Sequence, residues 1–379
     1  MGGLYVLILA YALNWGEFRF MKLQKAEIAK SPLFLVSPFF FLGTAMVVMK
    51  FILPDTTPLF LAAFRLLPAG VLILLVAALL KLPQPKTWKA WLWISLFALV
   101  DGALFQGLLA AGLVHTGAGL GAVLIDAQPL VVALMSRLLF GELIGLWGGL
   151  GLAIGIAGIC LCGLPAAWIF GFFQNPSSAF AGLSGSLSGE QLLHSGELLM
   201  LLAAFSMSFG TIIVRYVKQH ADPLVATGWH MILGGLPLAL LSFLWESNQT
   251  NNLQPSAWVG LGYATVFGTA VTYGIFFYLA AAGNLTSVSA LLFLTPIFAL
   301  LFSNFFLAET LTQLQWFGVA LTLVSVYLVT QRDRIPQQIA ALQGKAMIPS
   351  DLEGATEPVM ATAEGSALSA ELDSHENSF

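Results

Sequence analysis

The sequence predicts an all-α polytopic membrane protein, with ten transmembrane helices arranged as two inverted five-helix repeats. Three observations carry that expectation: a shortage of charge, ten apolar segments long enough to cross a bilayer, and a second half that repeats the first at a nearly constant offset.

Of the 379 residues, 58% are hydrophobic and 9% charged, and the mean hydropathy is +0.87. A soluble globular domain carries about 25% charged residues. Too few charges remain to clothe a soluble surface, so lipid must be much of the solvent. Cys160 and Cys162 lie within an apolar run and offer no disulfide framework or CxxC motif. The five histidines are scattered singly, and there is no basic stripe for nucleic acid. Neither a metal site nor another cofactor is expected.

A bilayer-crossing helix needs about 20 mainly apolar residues. Ten segments qualify: 33–53, 58–80, 88–112, 119–140, 145–165, 194–217, 224–245, 256–281, 285–307 and 313–330. Proline, glycine or charge marks the joints, as at Pro54–Pro58, Lys81–Pro85 and Asp222–Pro223. If the spans alternate, the basic residues gather on one side. Arg19, Lys22, Lys25 and Lys30 precede the first span; Lys81, Lys86 and Lys89 follow the second; Arg215 and Lys218 follow the sixth; Arg332, Arg334 and Lys345 follow the tenth. The opposite side holds only Lys50. The positive-inside rule then places both termini in the cytoplasm, with a bacterial inner membrane as the expected location.

The remaining segments complete the expected layout. Residues 1–32 form a cytoplasmic leader or interfacial segment, because the ten to twelve helical residues that the apolar stretch 4–13 allows would reach only about 18 Å. Residues 33–165 and 194–330 are the two repeats, and 166–193 an external Gly/Ser-rich linker. The acidic tail 331–379 is expected to be disordered and cytoplasmic.

The repeat itself is legible residue by residue. At an offset of 167, Trp91 matches Trp258, Gly107 matches Gly274, Pro129 matches Pro296, Glu142 matches Glu309 and Gly151 matches Gly318. Gly43–Thr44 likewise matches Gly210–Thr211. Near the second span the offset is 165, pairing Pro58–Leu59 with Pro223–Leu224 and Arg65 with His230. Five spans per half is an odd number, so the second half enters the membrane upside down. Inverted repeats are a recurring transporter architecture, with substrate bound at the repeat interface near the midplane.

Two segments carry a family resemblance. One runs Ala122-Val-Leu-Ile-Asp-Ala-Gln-Pro129 through Gly141–Glu142, the other Ala290-Leu-Leu-Phe-Leu-Thr-Pro296 through Ala308–Glu309. In each, a small and apolar run leads to a proline, with a glutamate thirteen residues later. With Arg65 in the second span and the five-plus-five layout, the chain resembles the EamA-type branch of the drug/metabolite transporter superfamily over about residues 33–330. The resemblance implies export of amino acids or other small metabolites. The leader and the long linker depart from the pattern.

Polar residues inside a bilayer are costly, about 2.5–3.5 kcal/mol for a charge at the centre on insertion scales, so each needs a reason. Arg65, Asp101, Asp126 and His230 stand out. Arg65 and Asp126 each lie seven residues after the outer start of a span, roughly 10 Å deep, so they are candidates to pair. Such a pair reads either as structural or as a working set, with Arg65 meeting a substrate carboxylate and Asp126 accepting a proton. Asp101, with Gln106 on a nearby face, is a candidate proton carrier, because desolvation disfavours its charged form. The alternative is a protonated Asp bonded to a neighbouring helix.

His230 is either a packing residue or the mirrored counterpart of Arg65. Ser208 and Thr211 belong to a face with Glu197, Leu201, Ala204 and Arg215 on the sixth span. In the eighth, Thr265, Thr269, Thr272 and Tyr273 give a similar picture, either cavity lining or interhelical glue. Gln128, just before Pro129, sits near mid-membrane where the proline frees a backbone carbonyl. Gly151, Gly155, Gly158 and Cys162 read as a packing stripe, and Glu142 and Glu309 as groups that fix turns or helix starts.

The expected partners are a small-molecule substrate, the lipid bilayer and, as a candidate coupling ion, the proton. A facilitative or exchange carrier for a sugar phosphate or nucleotide sugar is the nearer alternative. Spans seven to ten contain no Lys or Arg, which counts against a phosphate site there. A membrane-embedded enzyme is the alternative from another class. It is disfavoured because the sequence has no HExxH cluster and nothing resembling a nucleotide-binding loop.

Overall fold

The computed structural model describes residues 32–141, 145–163, 195–275, 291, 294–331 and 335. The expectations for the leader, the external linker, the acidic tail and Glu142 lie outside the described residues. So do the end of the eighth span and the beginning of the ninth.

The described residues contain helices and no strand. In chain order they are α1 (Pro32–Ile52), α2 (Pro58–Leu79), α3 (Trp88–His115), α4 (Ala118–Ile125 continuing as Gln128–Phe140) and α5 (Leu146–Gly163). Then come α6 (Gly196–Val217), α7 (Pro223–Trp245), α8 (from Pro255, described to residue 275), α9 (Leu294–Leu307) and α10 (Gln313–Thr330). Among the described residues, seven helices are long and apolar enough to cross a membrane: α1 to α4, α6, α7 and α10. The apolar helices α5 and α9 are shorter over their described lengths.

Local chemistry explains the helix starts. Pro58, Pro223 and Pro255 open α2, α7 and α8, where a missing N–H costs nothing. Asp222 accepts from the Leu224 and Val225 N–H groups, and Ser195 accepts from that of Leu198. Thr312 and Gln315 form a reciprocal capping box at α10. Large side chains such as Phe243, Trp245 and Phe305 are more than three-quarters exposed. Lipid is the solvent that matches them.

The helices pack as the repeat requires. α2 lies against α7, α4 against α9 and α5 against α10, so these three helices each meet their own repeat mate. Three further sets of contacts exchange in the same way: α1 with α9 and α6 with α4, α1 with α8 and α6 with α3, α2 with α8 and α7 with α3. The mate pairs run antiparallel. Gly70 faces Gly228 and Met231, whereas Gly235, further along α7, faces Leu66 and Leu67, earlier on α2. Gly151 faces Val329 while Gly158 faces Thr322 and Gly318. Cys162 is buried against Gly318, so the α5 stripe is a packing surface.

Two features depart from straight α-helix. The segment 119–140, expected as continuous, breaks at Asp126–Ala127. Pro129 has no N–H to give the carbonyl of Ile125 four residues back, so the ladder cannot run through. α3 is π-helical over Ala98–Phe105, and α8 over Val266–Val271. The offset of 167 carries 98–105 onto 265–272, so the two π-segments are repeat mates.

Candidate functional site

The α3 π-segment turns Asp101 toward α6 and α7. Wide turns of this kind occur mostly as short insertions, frequently at functional sites. Close approach is possible because the contacts are glycines. A Cβ on Gly102 would lie 2.9 Å from both the Gly234 Cα and the His230 carbonyl oxygen. A Cβ on Gly210 would lie 2.6 Å from Asp101 Oδ1. Between these backbones His230 Nε2 stands 3.3 Å from Asp101 Oδ2, with both side chains buried. Phe97 stacks on the imidazole at 4.2 Å between ring centres.

The second imidazole nitrogen fixes the tautomer. His230 Nδ1 is 2.7 Å from the Thr227 carbonyl oxygen. That oxygen can only accept, so Nδ1 carries a hydrogen. If Nε2 were then bare and Asp101 ionised, a lone pair would face a carboxylate with nothing between them. The contact therefore holds one proton, on Asp101 or on His230. In either arrangement the pair is neutral, and it becomes an anion when that proton leaves.

Arg65, on α2, is 7% exposed. Its guanidinium donates to Gln106 Oε1, one turn beyond Asp101 on α3, and its Nε is buried without a hydrogen-bond partner. Among the described residues no carboxylate lies within ion-pair distance of it. The expected Arg65–Asp126 pair is thus not what the structure shows: a neutral amide takes the place of the acid. Tyr273, packed against Leu66 and Met231, lies within electrostatic reach of both Arg65 and Asp101.

A second polar group lies where α4 breaks. Gln128 Nε2 donates to Thr211 Oγ1 at 2.6 Å, and Ser208 Oγ lies 3.3 Å from the Gln128 carbonyl oxygen. Asp126 lines a narrow cleft of about 30 Å³ with Pro129, Pro296 and Thr322, and its Oδ2 is buried without a partner. Two repeat-mate prolines thus border one cleft.

The predicted residues therefore fall into two groups, Arg65–Asp101–Gln106–His230–Tyr273 and Asp126–Gln128–Ser208–Thr211. Thr272 joins neither. Its hydroxyl donates to the Phe267 carbonyl five residues back, as that of Thr269 does to Ala264, so both are spent on the α8 π-segment. Sequence reasoning missed the Asp101–His230 contact, Thr227, the glycines at 102, 210 and 234, and both π-segments. The Gly234–Gly235 step, one turn after His230, was the available signal.

Helices of membrane length, arranged as two mutually packed repeats with ionisable groups between them, define an integral multi-pass membrane protein of the transporter class. The EamA-like transporter family matches residues 29–164 and 194–331, one match for each repeat. The chain belongs to the EamA-like transporter family. It is 56% identical to an uncharacterized transporter of Synechocystis sp. over 82% of this chain and 92% of that protein. It is 48% identical to a chloroplastic WAT1-related protein of Arabidopsis thaliana, over 78% of this chain and 68% of that one. The uncharacterized inner membrane transporter YedA of Escherichia coli is 25% identical over 76% and 86%. A crystal structure superposes with a TM-score of 0.50 at 14% identity, covering 80% of this chain and 98% of the other, which speaks for the fold alone.

Proposed function

We propose that this membrane transporter exports small carboxylate-bearing metabolites, amino acids first among them, by alternating access between two inverted five-helix halves. The single observation that carries the substrate class is Arg65. A buried guanidinium is costly unless paired, and among the described residues it meets only a neutral amide and keeps an unpartnered Nε. A substrate carboxylate would supply the missing charge, and Arg binds carboxylates through two parallel N–H donors.

The antiparallel packing of repeat mates supports the ten-span inverted reading. It supports the assignment of both termini to the cytoplasm as well, since alternation then collects the basic loops on one side. On this reading the first and second halves exchange roles. Mate pairs α2–α7 and α4–α9 slide or rock, opening one face while closing the other. Gln128, Thr211 and Ser208 contribute polar groups along the path, and Asp126 lines it at the α4 break.

Exchange in proteoliposomes tests the proposal. Vesicles loaded with unlabelled α-amino acids should take up a labelled mixture by counterflow, and Arg65→Gln should slow that uptake by about tenfold to a hundredfold. Absence of counterflow with wild-type protein, or equal rates in the variant, would sink the substrate class.

A further inference from the structure

The Asp101–His230 pair has a property that a packing contact would not need: its geometry requires a proton between the two side chains. With Nδ1–H committed to Thr227, Nε2 can meet Asp101 only through a shared hydrogen. Among the described residues, the groups around the pair are few. α2 presents the Arg65 guanidinium and α8 the Tyr273 phenol. α6 presents Gly210 against the carboxylate and Ser206, which donates to the Val100 carbonyl, with Arg215 more than a turn nearer the end of α6. On α3 itself the polar neighbour is Gln106, which is engaged by Arg65.

We propose that Asp101 and His230 together form the coupling-proton site, and that the ammonium group of an α-amino acid displaces that proton when the acid's carboxylate binds Arg65. The inference rests on the transport reading above and deepens it to a proton/amino-acid antiport. The charge balance is direct. Without its proton the pair is an anion, and the Tyr273 phenol lies within electrostatic reach of both Asp101 and the Arg65 cation, a plus–minus arrangement complementary to a zwitterion. With its proton the pair is neutral and offers an ammonium no counter-charge. Proton and substrate therefore exclude one another, and the displaced proton passes to water on the side from which the substrate entered. An inward proton gradient then drives substrate outward.

The proton's coupling role separates it from a structural one. In proteoliposomes with an acidic interior, wild-type protein should accumulate a mixture of radiolabelled neutral α-amino acids. One pH unit at one proton per substrate supports about a tenfold concentration ratio. Because the proton competes with the substrate, the KM for exchange should rise as the pH is lowered. Asp101→Asn keeps a donor toward Nε2 and cannot titrate. It should exchange with a raised KM that no longer depends on pH, and its accumulation ratio should fall to about one.

A measurement on the wild type keeps the inference falsifiable if that variant does not fold. Adding the same mixture to purified protein in weakly buffered detergent should release about one proton per molecule, and the N-acetylated mixture, lacking an ammonium, should release none. Exchange that proceeds without proton release, or with a pH-independent KM, overturns the antiport while leaving transport standing. Accumulation retained by Asp101→Asn overturns the assignment to this pair. Wild-type protein that exchanges nothing overturns the transport reading and this inference with it.

Discussion

The carboxylate of Glu309 accepts the backbone N–H of Ala118 at 2.9 Å and that of Gly119 at 3.2 Å, so the turn that closes α9 holds the first turn of α4. An anion there satisfies two orphan donors and meets the positive end of the helix. Glu246 does the same for α2, accepting from Leu59 and Phe60 at 2.9 and 3.1 Å. Each carboxylate ties its helix to a partner from the other repeat. Glu309→Ala should cost about 1–2 kcal/mol, read as a lower Tm in detergent. An unchanged Tm would show that water replaces the cap.

Arg65 allows a prediction in which stability and transport move in different directions. Removing a buried charge that lacks a counter-ion removes its desolvation cost. Arg65→Gln should leave Tm unchanged or raised, while counterflow falls by about tenfold to a hundredfold. A large drop in Tm would mean that the guanidinium is structural.

Because Arg65 bonds Gln106, exchanging the charges at 65 and 126 should restore nothing. The double variant Arg65→Asp with Asp126→Arg should be as inactive in counterflow as either single variant. Partial recovery would place the two side chains together in a state other than this one.

Gly234 controls the approach of α7 to the α3 π-segment. A Cβ there would lie 2.5 Å from the Gly102 Cα and 2.8 Å from the Ala98 carbonyl oxygen, both backbone atoms that cannot step aside. Gly234→Ala should separate the helices and break the Asp101–His230 contact. Gradient-driven accumulation should then fall several-fold more than counterflow does. Equal losses in both assays would count against a coupling role for the contact.

Gly158 is the comparable position in the α5–α10 pair, where a Cβ would lie 2.8 Å from the Thr322 N and 2.9 Å from the Gly318 carbonyl oxygen. Gly158→Val should destabilise by about 1–3 kcal/mol, the usual cost of overpacking. Thermal unfolding in detergent measures it. Gly149, with open space where its Cβ would be, is the control, and Gly149→Ala should leave Tm unchanged.

Hydropathy, the spacing of prolines and glycines, and the offset of 167 by themselves determined that this chain is helical, membrane-embedded and twofold repeated, because segment length and solvent preference are local properties of a sequence. The same pattern singled out Arg65, Asp101, Asp126 and His230, since a charge in an apolar run needs no structure to be conspicuous. Which of them meet was decided only by the tertiary structure. Contact across a bundle depends on the rotation of each helix about its axis, and on how closely backbones approach, and neither follows from spacing alone. Straight helices of equal entry depth suggested Arg65 with Asp126. The π-segment resets the phase of α3, and glycines at 102, 210 and 234 bring three backbones within reach of one carboxylate. That rotation and that proximity give Asp101 to His230 and leave Arg65 with Gln106.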